Sequence, residues 1–209
     1  MMRKIIVLIV SLLLYSCASY KPGSIEYRSA LTSPESKNID SIYVYVKQYN
    51  YQEAKLIFDT DFRNHNFDPI YISVFNKSNS KVFVNYKSFQ DFIDVLEVCE
   101  KTEKSSFGYL LGWSMPWGVN ILVGLPFYYG VAWPVVGIAA MAKAGGVNSK
   151  RKAYYKSVAL KSVALQKGQE IYGVVFIKSD STKTIKLDLL KGDNSKVMFE
   201  FPKLNYEDL

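Results

Sequence analysis

Histidine is almost missing from this 209-residue chain, with His65 the single copy. A zinc site built on paired histidines therefore has no second ligand. A Ser-His-Asp triad would have to use His65, and the chain has no Gly-x-Ser-x-Gly elbow to present the serine. Cysteine is also scarce, at two residues, Cys17 and Cys99. That is too few for a disulfide framework. Cys99 follows Val95-Leu96-Glu97-Val98 and reads as a small buried hydrophobe rather than a nucleophile. Gly145-Gly146 lacks the Lys-Ser/Thr ending of a phosphate-binding loop. Asp59, Asp61 and Asp68 surround His65, but their spacing matches no calcium loop. Zinc-finger and helix-turn-helix signatures and a dense basic stripe are absent, which argues against nucleic acid as a partner. These absences make a non-enzymatic chain with no cofactor and no metal the expectation.

The amino terminus is more informative. Arg3 and Lys4 precede an apolar run from Ile5 to Leu14, broken only by Ser11. This is the form of a secretory leader. It is shorter than the roughly 20 apolar residues of a spanning helix. It ends Leu14-Tyr15-Ser16-Cys17, which resembles the lipobox of bacterial lipoproteins, with Tyr15 the departure from the usual pattern. The resemblance implies acylation of the Cys17 thiol, cleavage before Cys17 and tethering to membrane lipid. Several acyl chains anchor firmly where one does so only marginally. Ala18 stands where the family's inner-membrane retention signal would be Asp, so the resemblance implies an outer-membrane location facing the periplasm. A plain secreted protein cut near Ser19 is the alternative. The net charge of +7 suits anionic headgroups.

Residues 1–16 are thus read as the leader and 17–38 as anchor and polar tether, with room for order around Ile25 to Leu31. Strand signals follow. Ile42, Val44 and Val46 alternate with Tyr43, Tyr45 and Lys47. Ala54, Leu56 and Phe58 suggest a second strand over Gln52 to Asp59. Pro69 to Phe75 and Lys81 to Tyr86, joined by Asn76-Lys77-Ser78-Asn79-Ser80, predict a β-hairpin. Phe89 to Val98 fits a helix face or a strand. Glu170 to Lys178, Lys183 to Leu190 and Lys196 to Phe201 read as strands, with turns at Lys167-Gly168 and Gly192-Asp193-Asn194. Seven to nine short strands fit an antiparallel sandwich.

The segment Gln166 to Phe176, a glycine turn entering a strand, resembles the late strands of immunoglobulin-like domains in bacterial surface proteins and lipoproteins. The Tyr71 to Val84 hairpin resembles their central hairpin. The Cys…Trp…Cys signature of antibody-type domains is absent. The fold expectation is mainly β: an immunoglobulin-like sandwich formed by residues 39–106 and 150–209, interrupted by a hydrophobic helical hairpin at 107–149.

That insert has no acidic residue from Phe107 to Val147, and Lys143 is its one basic residue. It holds Trp113, Trp117, Phe127, Tyr128, Tyr129 and Trp133, the candidate contacts to membrane or partner. Lys150, Arg151 and Lys152 follow as candidate headgroup contacts. Arms over Tyr109 to Val123 and Phe127 to Met141 are short for a full span and are interrupted by Pro116, Pro126 and Pro134. A re-entrant or interfacial hairpin fits better. Packing of the insert on its own sheet or on a partner subunit is the competing reading, and a disordered or toxin-like role is the third. The tyrosines Tyr43, Tyr45, Tyr49 and Tyr51 suggest either an exposed ligand-binding ladder or ordinary strand preference. After the basic run, Lys156-Ser157-Val158-Ala159-Leu160 is repeated as Lys161-Ser162-Val163-Ala164-Leu165. The first copy is expected to end a helix and the second to start a strand. Function is then expected to be a structural or accessory role in the envelope, through a protein partner, self-association or membrane. A periplasmic or surface ligand-binding or peptide-binding module is the alternative.

Overall fold

A computed structural model of the chain describes residues 20–103, 132–179 and 184–203, with the side chains of Arg63 and residues 132–144 outside the description. The chain divides into two compact units, one comprising Lys21–Thr102 with Ala153–Leu209, the other Met1–Tyr20 with Glu103–Lys152. The larger unit is mainly β, with two antiparallel sheets. The strands are β1 (Lys37–Ile39), β2 (Ile42–Gln48), β3 (Phe67–Asn76), β4 (Val82–Val84), β5 (Phe92–Ile93), β6 (Val163–Leu165), β7 (Glu170–Lys178), β8 (Thr184–Lys191) and β9 (Lys196–Pro202). The helices are α1 (Tyr51–Phe58), α2 (Val95–Thr102) and α3 (Ala132–Val158), the last ending inside the larger unit.

One sheet has the order β1-β2-β3-β7-β5 and the other β6-β4-β8-β9. A single core joins them. It takes Ile42, Val44, Ile70, Ile72, Val74, Val175 and Ile177 from the first sheet. From the second come Val82, Val84, Leu165, Ile185, Leu187, Leu189, Val197, Phe199 and Phe201. This two-layer arrangement is consistent with a β-sandwich. Each such side chain contributes about 1.5–3 kcal/mol on full burial.

The five-stranded sheet is covered on its other face as well. Tyr45, Tyr71 and Phe176 point away from the core and are buried. Phe176 packs in an aromatic layer with Phe58 of α1, Phe62 and Tyr155 of α3, at ring separations of 5.5 to 5.8 Å for Phe58–Phe62, Phe58–Tyr155, Phe58–Phe176, Tyr155–Phe176 and Phe62–Phe176. The Tyr155 hydroxyl donates to Thr60 Oγ1 at 2.8 Å. Tyr45 and Tyr49 are both buried, so the four tyrosines around β2 form no exposed ladder.

Residues 21–30 lie along this face without regular structure. Gly23 N donates to the Leu56 and Ile57 carbonyls, and a Cβ on Gly23 would fall 2.8 Å from the Leu56 oxygen, so only glycine fits that approach. The Tyr71 hydroxyl exchanges bonds with Arg28, accepting from its N–H at 3.0 Å and donating to its carbonyl at 3.1 Å. Burial pushes this phenol up to about 12, against the pull of the Arg28 backbone bond. Glu170 gathers the strap. Its carboxylate accepts from Ser73 Oγ, Tyr27 Oη and Ala30 N at 2.6 Å each and from Ser29 Oγ at 3.0 Å.

Two expectations from the sequence are corrected. The segment read as a strand over Gln52 to Asp59 is helix α1. Asn50 and Glu53 form a reciprocal capping box, with Glu53 N donating to Asn50 Oδ1 at 2.8 Å and Asn50 N to Glu53 Oε2 at 3.1 Å. Ala54 and Phe58, four apart, are buried against the other face of the five-stranded sheet while Leu56 is 74% exposed, which is helical and not alternating geometry. The hairpin of Pro69–Phe75 with Lys81–Tyr86 is also absent. β3 spends both edges on β2 and β7, and β4 joins β6 and β8 in the other sheet. Asn76, fully buried, holds the crossover. Its amide donates to the Ser80 and Leu165 carbonyls, and its oxygen accepts from Ser78 N and Oγ. The ambiguous Phe89–Val98 stretch resolves into two-residue β5 followed by α2, with Cys99 buried on α2.

Candidate functional site

A concavity in the larger unit lies at the edge of β7. Two pieces of chain reach that edge. β5 pairs there through Phe92↔Ile177 and Ile93↔Phe176. Residues 159–160 arrive parallel, with an Ala159↔Val174 bridge and Leu160 N donating to Val174 O at 2.9 Å. Gly173 permits this second approach, because a Cβ there would stand 2.6 Å from Leu160 N and Cα. Between the two pieces a cleft of about 310 Å3 remains open.

Its surface is mostly apolar. Val174, Val175 and Leu160 form the buried part, and Tyr86, Phe92, Val95 and Leu96 line it further out. The Tyr86 and Phe92 rings lie 5.1 Å apart. Leu96 is 42% exposed, a large aliphatic side chain left partly in water beside the cleft. The polar lining is short: Lys156, Lys161, Ser162 and Asp94. Asp94 Oδ1 accepts from Leu96 N at 2.8 Å and its carbonyl accepts from Val98 N, so this carboxylate caps α2. Ser162 Oγ donates to Asn85 Oδ1 at 3.1 Å. Lys156 and Lys161 are exposed, and among the described residues neither has an ion-pair partner.

Two of the acids near His65, Asp59 and Asp68, have structural tasks. Asp59 is the left-handed C-cap of α1 and accepts from Lys21 N. Asp68 is fully buried. Lys203 Nζ lies 2.9 Å from its Oδ2, an ionic contact rather than a well-directed hydrogen bond, and Ser179 Oγ donates to Oδ1 at 2.6 Å. Lys203 also donates to the carbonyls of Lys178 and Ser179. This pair ties the end of the four-stranded sheet to the ends of β3 and β7. His65 closes a 3-10 turn and stacks on Phe67 at 6.3 Å. Among the described residues no group of three or more His, Cys, Asp or Glu could hold a metal ion.

Most of the expected contact residues lie outside this description: Cys17, Trp113, Trp117, Phe127, Tyr128 and Tyr129 fall in the undescribed segments, and Trp133 is on α3 with its side chain undescribed. The basic run does lie in view, on α3. Lys150 and Lys152 are exposed, whereas Arg151 is buried with its guanidinium 5.5 Å from the centre of the Tyr20 ring. Among the described residues no helix is long and apolar enough to cross a membrane.

The cleft was not foreseen from the sequence. One signal for it was present: the tandem repeat. Its first copy ends α3 at Val158 and its second enters β6 at Val163. The two copies deliver Lys156 and Lys161 to the cleft, while Leu160 and Leu165 go to the core. Comparisons with protein-family models, with curated proteins and with solved structures find no match for this chain.

Proposed function

We propose that this chain is a lipid-anchored envelope protein of a bacterium, held by acylated Cys17 and serving a non-enzymatic, structural or accessory role toward a protein or membrane partner. The leader ending Leu14-Tyr15-Ser16-Cys17 carries this reading. In this reading the fold is an immunoglobulin-like sandwich with residues 107–149 inserted as a hydrophobic helical hairpin. Nine strands in two antiparallel sheets among the described residues support the first part. Helix α3, beginning within the insert at Ala132, supports the second. In this reading the aromatic residues of the insert meet membrane or partner, and Lys150 and Lys152 meet headgroups at its exit.

The test is protease and cysteine-labelling accessibility of residues 107 to 147 in native membranes, with Cys17→Ser alongside. Protection that survives loss of the anchor and vanishes in detergent is expected for an insert held in lipid. Protection that persists in detergent would assign the insert to protein burial. Full accessibility in intact membranes would contradict both forms of attachment.

A second reading, a ligand-binding module in the same compartment, is favoured by the β7 cleft. It is concave, lined mainly by apolar side chains, and bears a few polar groups at its margin, which is the usual composition of a small-ligand site.

A further inference from the structure

We infer that the β7 cleft binds a small anionic amphiphile, a medium-chain carboxylate, with its alkyl chain along the apolar lining of Phe92, Val95 and Leu96 and its carboxylate toward Lys156 and Lys161. This rests on the second reading above, that the cleft takes a ligand, and names the ligand's class.

The size and surface define the tail. A volume of about 310 Å3 is at the lower end for small-molecule sites. It suits one narrow chain rather than a multi-ring ligand or a folded partner. Phe92, Val95 and Leu96, over a floor of Val174, Val175 and Leu160, offer no hydrogen-bonding side chain, so a polar ligand body would lose its water contacts without replacement. An alkyl chain instead gains about 0.8 kcal/mol for each CH2 removed from water.

Charge defines the head. Two lysines line the cleft beside one carboxylate, Asp94, which caps α2 and keeps its negative charge. The C-terminal end of α3 adds roughly half a negative charge. The two positive charges still exceed the Asp94 charge and that half charge together, so the lining is net positive and favours an anion. A cationic amphiphile of equal chain length would meet like charge on both lysines. The tandem repeat explains how the pair arises. Copies five residues apart straddle the helix-to-strand change, so both lysines reach the same opening.

The experiment uses the full chain carrying Cys17→Ser, in detergent-free buffer, with equilibrium dialysis of labelled decanoate below its micelle-forming concentration. Propionate, decylamine and inorganic phosphate are the comparison probes. Saturable binding of decanoate near one per chain is expected, with propionate, phosphate and decylamine binding at least tenfold more weakly. The double variant Lys156→Gln/Lys161→Gln should lose at least tenfold in decanoate affinity. Leu96→Trp, at a partly exposed position, should narrow the cleft and reduce binding by a similar factor. Decylamine binding as well as decanoate, or an unchanged affinity in the lysine variant, would overturn the anionic assignment and leave the ligand-binding reading standing. Unchanged decanoate binding in Leu96→Trp would place the ligand elsewhere and overturn the proposal. Absence of saturable binding by either ten-carbon probe would remove both the proposal and the reading beneath it.

Discussion

The centre of the five-stranded sheet is buried on both faces, and the four-stranded sheet on one. In β3 nine of ten residues are buried, whereas β9 alternates without a break between exposed and buried. The outer face of the first sheet carries α1, the end of α3 and the strap around Arg28. The outer face of the second leaves Phe83, Leu190 and Met198 at 41%, 41% and 54% exposure. Covering decides how much each side chain contributes and where function can be placed. The doubly covered sheet is the more buried layer, and the cleft is built at its β7 edge. The singly covered sheet closes the core.

Truncating a ring in the covered layer should have the largest effect. Phe58→Ala removes the hub that touches Phe62, Tyr155 and Phe176, and should lower stability by about 3–5 kcal/mol in urea denaturation. A loss below about 1 kcal/mol would mean that the layer is not packed as described. Next comes the link between the sheets. Lys203→Met strands the Asp68 charge in the interior and should cost about 3 kcal/mol, at the low end for a broken buried pair because Ser179 still serves Oδ1. If Asp68→Asn in the same background fails to recover part of that loss, the pair is not the cause.

Gly173→Ala sharpens the comparison at the cleft itself. Its methyl group would press on Leu160 backbone, which cannot swing aside as a side-chain end can. We expect a loss of about 1–3 kcal/mol, together with altered amide resonances at 159–162 in nuclear magnetic resonance spectra. Unshifted resonances would argue against the close approach.

Glu170 gives the strap a pH dependence. Burial raises its pKa, but bonds from Ser73, Tyr27, Ala30 N and Ser29 outweigh that and hold it below the usual carboxylate value. A carboxyl that is more acidic folded than unfolded stabilises fully above its unfolded value, and that contribution fades as pH falls through its folded value. Glu170→Gln should therefore cost about 1 kcal/mol at neutral pH and progressively less in acid. A stability gap that stays constant from pH 6 to pH 3 would remove the charge from the explanation. The smallest effect belongs to the open face. Met198→Ser should change stability by no more than about 0.5 kcal/mol. A loss near that of Phe58→Ala would mean that something covers this sheet.

The same contrast explains what the sequence made legible. β8 and β9 are readable because one face meets water: Ile185, Leu187 and Leu189, and Val197, Phe199 and Phe201, recur at period two. β3 is readable from its β-branched content, but its neighbours are not. Which edge partner a doubly buried strand takes is decided by distant chain, and β7 lies some hundred positions away. The turn at Asn76-Lys77-Ser78-Asn79-Ser80 therefore suggested a hairpin where Asn76 holds a crossover. α1 was missed because Ala54, Leu56 and Phe58 also fit an alternation. The Asn50…Glu53 box was the overlooked local signal. The strap around Arg28 shows in the sequence only as room for order around Ile25 to Leu31, since hydrogen bonds to β3 and β7 hold it beside the Tyr27–Tyr172 ring contact and buried Ala30. The cleft gave only the repeated Lys-Ser-Val-Ala-Leu unit, whose meaning depends on helix changing to strand between the copies.

The most direct test of the functional account is mass spectrometry of the mature amino-terminal peptide from the full chain made in a bacterial host. The account expects a chain beginning at Cys17 and bearing diacylglycerol on the thiol, with Cys17→Ser abolishing the modification. An unmodified terminus near Ser19, or a retained leader, would contradict it.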